Sequence, residues 1–103
     1  MTEVDRKVEP HEGPLVRRHL LIRGRVQGVG FRIFLADQAI KVGVTGYVRN
    51  LEDGRVEAAL EGPRDAVDRV AAWCREGPDM AHVSSLEVTD DDPTGDREFA
   101  ILD

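Results

Sequence analysis

Residues 24–32 read Gly-Arg-Val-Gln-Gly-Val-Gly-Phe-Arg, and chemistry is concentrated there. Glycine permits positive φ and lets a ligand approach the backbone closely. A loop that opens a helix leaves the first helical N–H groups without internal partners. Those donors and the helix dipole favour an anion. Arg32 stands one residue inside the expected helix, where its planar guanidinium can fork onto such an anion. A glycine-rich turn from strand to helix is also an ordinary tight connection, and spacing alone does not choose between the two. The stretch is not a Walker A loop, because no Gly-Lys-Ser/Thr follows. Nor does its glycine spacing fit the dinucleotide fingerprint.

The elements that must position this stretch can be read from periodicity. Residues 15–26 alternate as a half-buried strand, with Leu20, Ile22, Gly24 and Val26 on one face. His19 falls on the other face, as a solvated strand residue. A helix is predicted from Phe31 to about Val42, its apolar stripe formed by Phe31, Leu35, Ala39 and Val42. Gly43 follows as its C′ residue. No Ser, Thr, Asp or Asn precedes Phe31, so the helix start lacks the usual side-chain cap.

Residues 44–51 form a second predicted strand, and by parity Asn50 projects on the side of Val48. Glu52-Asp53-Gly54 is a hairpin signal, leading into a third strand at 55–61. Pro63 takes the first position of a second helix whose buried stripe is Val67, Val70 and Cys74. Residues 83–89 make a fourth strand, and 90–95 an exposed acidic turn without Ca²⁺-loop spacing. Phe99, Ala100 and Ile101 form a short edge strand.

This β-α-β-β-α-β order is that of an α+β, ferredoxin-like sandwich: two helices on one face of an antiparallel sheet, here with a short extra C-terminal edge strand. In the usual strand order, 4-1-3-2, strands 1 and 2 point the same way. Arg32 and Asn50 then converge at one end of the sheet.

The chain of 103 residues is one small domain. Residues 1–14 read as a disordered tail, containing His11, and 15–103 as the folded unit. No stretch resembles a signal peptide or a membrane span. One cysteine, Cys74, excludes an internal disulfide and a thiolate metal cluster, and points to a cytoplasmic location. The net charge of −6 argues against general nucleic-acid binding. Only Tyr47 could serve as a stacking aromatic on the open sheet face. Residues 15–50, however, carry seven basic residues against one acid, a local net of +6. Such a region suits a small anion, although most of these arginines are expected to be solvated strand residues.

The segment Gly24-x-Val26-Gln27-Gly28-Val29-x-Phe31-Arg32 resembles the first acylphosphatase signature. Gly46-Tyr47-Val48-Arg49-Asn50-x-x-x-Gly54-x-Val56, running on to Gly62, resembles the second. Both are complete, in order and at the family's spacing, and the likeness spans residues 20–103. It implies metal-independent hydrolysis of acyl phosphates to a carboxylate and inorganic phosphate, with no cofactor and no covalent phospho-enzyme. It further implies that Arg32 and the backbone of Gln27, Gly28, Val29, Gly30 and Phe31 bind the phosphoryl group, and that Asn50 positions the attacking water. The expected partners are a small acyl phosphate and, as product and inhibitor, inorganic phosphate; nucleic acid and membrane are not among them, and a monomer is expected. Two alternatives stand beside this: a non-catalytic phosphate-binding regulatory module, and a carbamoyl-phosphate-handling domain of the kind found in a larger hydrogenase-maturation protein.

Overall fold

A computed structural model describes residues 14–103. The expected tail lies, but for Pro14, outside the described residues, as does His11. The elements run β1 (Leu15–Arg25), α1 (Phe31–Lys41), β2 (Thr45–Asn50), β3 (Val56–Pro63), α2 (Arg64–Cys74), β4 (His82–Asp91) and β5 (Phe99–Ile101). The sheet order is β4-β1-β3-β2-β5. The first four strands pair antiparallel, in the expected order. β5 adds outside β2 and runs parallel to it, so the sheet is mixed rather than purely antiparallel.

Both helices cover one face. α1 packs on β2 and β5, and α2 on β1 and β3. Leu20, Ile22, Val48, Ala58 and Leu60 from the strands meet Phe31, Leu35, Ala39, Val67, Val70 and Cys74 from the helices. Burying each of the larger side chains contributes roughly 1.5–3 kcal/mol. Phe31 is 1% exposed and lies 5.8 Å, centroid to centroid, from Trp73. It thereby pins the first turn of α1, one residue before Arg32.

α1 ends as its glycine foretells. Gly43 has φ +77°, Val44 N–H donates to Ala39 C=O at 2.8 Å and Gly43 N–H to Ile40 C=O at 3.2 Å, the paired bonds of a Schellman end. Pro63 departs from expectation. At φ −58° and ψ 143° it is the N-cap of α2, one residue before the helix proper.

The open sheet face also departs from expectation. Arg17 is 7% and Glu61 2% exposed, joined at 2.8 Å. Glu61 accepts from the backbone N–H groups of Thr94 and Gly95, each at 2.9 Å. Burial alone would raise the Glu61 carboxyl, but these donors and Arg17 outweigh it and hold it below its ordinary range. The stretch expected to be an exposed acidic turn is thus partly strand and partly strapped down. Asp90 and Asp91 belong to β4, in register with Arg18 and Arg17, because opposite charges across a ladder favour pairing.

Candidate active site

The loop between β1 and α1 is built by backbone conformation. Gly28 and Gly30 have φ +75° and +79°, and a Cβ on either would meet nothing within 4 Å. Their glycines answer the left-handed conformation, not crowding. Gly30 is the N-cap of α1, which has no side-chain cap and no acid in its first turn. The first N–H groups of α1 therefore face outward with the positive end of the helix dipole. Gly24 does not belong to this loop. It lies in β1 beside a register shift against β4, where a Cβ would stand 2.1 Å from the His82 carbonyl oxygen.

A pocket of about 220 Å³ opens at this helix start, lined by Val26, Gly28, Gly30, Phe31, Arg32, Ile33 and Asn50. The fold thus brings Arg32 and Asn50 together, although 18 residues separate them in sequence. Asn50 ends β2 in register with Val56 and on the face of Val48, as parity requires. Its Oδ1 is buried and takes no hydrogen bond among the described residues. An unsatisfied buried carbonyl costs about 1–3 kcal/mol. A buried oxygen left without a partner, on a residue that lines the pocket, is the feature of the site that its own hydrogen bonds do not explain.

Arg32 donates through Nη1 to the Leu102 carbonyl at 2.8 Å. A guanidinium has five N–H donors, so the rest of the fork stays available. Most other cations of the positive segment are already neutralised: Arg17 by Glu61 and Asp96, Arg18 by Asp68 and Asp90, Lys41 by Asp37, Arg49 by Glu57. Arg32 has no carboxylate partner among the described residues. His19, expected to be solvated, instead sets Nε2 2.7 Å from Glu57 Oε2 on the open sheet face, away from the pocket.

Two residues of the expected phosphate cradle do not line the pocket. Val29 turns into a larger groove of about 350 Å³, with Phe34, Trp73 and Met80, which holds neither Arg32 nor Asn50. The larger volume is not where the polar groups converge. The Gln27 side chain reaches instead to the β2–β3 turn, where its Nε2 donates to Leu51 and Arg55 carbonyls. Nothing in one strand's pattern signals that contact.

A family model described as Acylphosphatase matches residues 18–101. The chain belongs to the acylphosphatase family. It is 51% identical over 89 residues to an acylphosphatase of Roseiflexus sp. (strain RS-1), covering 85% of this chain and 96% of that protein. It superposes on the crystal structure of acylphosphatase from Bacillus subtilis with a TM-score of 0.82, at 35% identity, over 84% of this chain and 98% of the other. HypF from T. kodakarensis is 30% identical with a TM-score of 0.76; the match covers 85% of this chain but 12% of HypF. The same unit thus also occurs within a much larger protein. As a member of the acylphosphatase family, the chain is a hydrolase of acyl phosphates, and among the described residues no helix is long and apolar enough to cross a membrane.

Proposed function

We propose that hydrolysis proceeds by direct attack of water on the phosphoryl group, held by Arg32 and by the backbone N–H groups of residues 27–31, with Asn50 placing the water. The observation that carries this is Asn50, which lines one pocket with Gly28, Gly30 and Arg32 and whose buried Oδ1 has no hydrogen-bond partner among the described residues. The loop and guanidinium supply donors for the equatorial phosphoryl oxygens, where charge must be stabilised. Charge-assisted bonds of this type contribute roughly 1.5–3 kcal/mol each.

The Asn50 amide both donates and accepts, which suits holding a water in line. It is no base. The carboxylate is a good leaving group, so the P–O bond to the acyl oxygen breaks as the water oxygen bonds to phosphorus. The proton of the water passes to a phosphoryl oxygen of the substrate itself. No step runs through a metal. The protein acts as a monomer on small acyl phosphates in the cytoplasm, with phosphate as competitive product inhibitor.

The deciding experiment is hydrolysis of benzoyl phosphate by wild type beside Asn50→Ala. Metal-independent turnover that collapses in the variant supports the assignment. Normal turnover by Asn50→Ala overturns it, and no turnover by wild type would leave a phosphate-binding module.

A further inference from the structure

Gln27 stands in the phosphate loop, yet its side chain faces the hairpin. Its Nε2 donates to the Leu51 carbonyl at 2.8 Å and to the Arg55 carbonyl at 2.9 Å. Two carbonyl acceptors demand the NH₂ end of the amide, and both of its hydrogens are used. The two carbonyls belong to the residues that close the β2–β3 turn, where Leu51 N–H itself donates to Arg55 C=O at 2.8 Å. The contact therefore grips the base of the hairpin from the side.

What it grips is adjacent to the site. Leu51 follows Asn50 in the chain, and the β2–β3 register ends at the Asn50–Val56 pair. The Asn50 Oδ1 has no partner among the described residues, so that end of its amide takes its position from the backbone that carries it. On the other side, Gln27 directly precedes Gly28, which lines the pocket. One amide thus joins the loop that presents the phosphoryl donors to the strand end that presents Asn50.

We propose that Gln27 is a positioning residue, whose side chain sets the spacing between the phosphate loop and Asn50 without touching the substrate. This rests on the assignment of Asn50 to the water. Spacing of this kind matters because reacting groups misplaced by about 1 Å can lose on the order of 10²-fold in rate.

The test is Gln27→Met, which keeps length and volume but removes both donors, beside Gln27→Glu, which sets a carboxylate against two carbonyls. Each is assayed for kcat, KM and inhibition by inorganic phosphate, per folded molecule as measured by circular dichroism. The expected result is a fall in kcat of about 10–100-fold, with KM and the phosphate inhibition constant within about threefold of wild type. Asn50→Ala should absorb the effect: Gln27→Met added to it should change kcat by no more than about twofold, since residues acting as one unit are not additive. A phosphate inhibition constant that weakens tenfold or more would make the Gln27 side chain a ligand of the phosphoryl group and overturn the proposal. So would an unchanged kcat, or losses that multiply in the double variant. Normal turnover by Asn50→Ala alone would instead fault the underlying assignment, and the Gln27→Met kcat would then report separately whether the clamp matters.

Discussion

The Arg32 guanidinium donates through Nη1 to the Leu102 carbonyl, 2.8 Å away and 70 residues along the chain. Leu102 is itself held, its N–H donating to Val48 C=O at 2.8 Å. Arg32, the proposed phosphoryl ligand, is therefore oriented by an extension of β5. Removing Leu102 and Asp103 should weaken inhibition by phosphate roughly 3–10-fold, the worth of about one partly exposed hydrogen bond. An inhibition constant equal to that of the intact chain would show that Arg32 needs no such brace.

Replacing Arg32 itself should do more. Arg32→Ala should abolish phosphate inhibition and lower turnover by at least about 10²–10³-fold. Arg32→Lys keeps the charge but loses the planar fork, and should recover little. Steady-state kinetics with phosphate as inhibitor measure both.

Asn50→Ala should separate binding from turnover, and activity from stability. Phosphate should inhibit as before, while kcat falls on the order of 10²-fold or more. The same change removes a buried oxygen that lacks a partner among the described residues, a group costing about 1–3 kcal/mol. The variant should thus be at least as stable as wild type in urea denaturation. A clear loss of stability would mean that the Asn50 amide is structural.

Acid should unfold the protein through the open sheet face. Burial would raise the carboxyls of Glu61 and Glu57, but hydrogen bonds outweigh it, from Thr94, Arg17 and Gly95 in one case and His19 and Arg49 in the other. The Arg17 and Thr94 side chains lower Asp96 directly. All three are depressed in the folded chain, so below the ordinary values of 4.5 for Glu and 3.8 for Asp the unfolded chain binds more protons. Stability then rises with pH. The contribution should be full above about pH 5 and lost as pH falls through the folded values. Glu61→Gln should flatten this acid limb and cost about 1–3 kcal/mol at neutral pH, since Arg17 loses its buried carboxylate but keeps Asp96 at 3.1 Å. An unchanged acid limb would place the linkage elsewhere.

Cys74 should be chemically silent. Burial pushes its thiol up to about 12, and it lies in the core stripe of α2. Thiol reagents should react at a negligible rate in native buffer and rapidly in denaturant. Fast labelling of the native protein would indicate local opening of α2.

What could be read from sequence was what local rules govern. The uncapped start of α1, its glycine end and the stripe Val67–Val70–Cys74 follow from spacing along one element, and parity alone put Asn50 on the correct face. The contacts that were missed all join residues far apart. Asp90 and Asp91 look like a turn until Arg18 and Arg17 stand opposite. Glu61 reads as the polar end of a strand until Thr94 and Gly95 close over it. Gln27 reads as one more loop residue until the hairpin comes within reach of its amide.

The order of strands in the sheet also has a meaning for biosynthesis. β4 and β5 are the two outermost strands, and both follow every other element in the chain. A ribosome releases β1 and β2 first, and each then has an outward edge of unpaired N–H and C=O groups, a template for pairing with a neighbouring nascent chain. Only when residues 82–101 emerge are both edges covered. The same late arrival delivers Leu102 to Arg32, so the brace on that guanidinium forms after the pocket-lining residues are already in place.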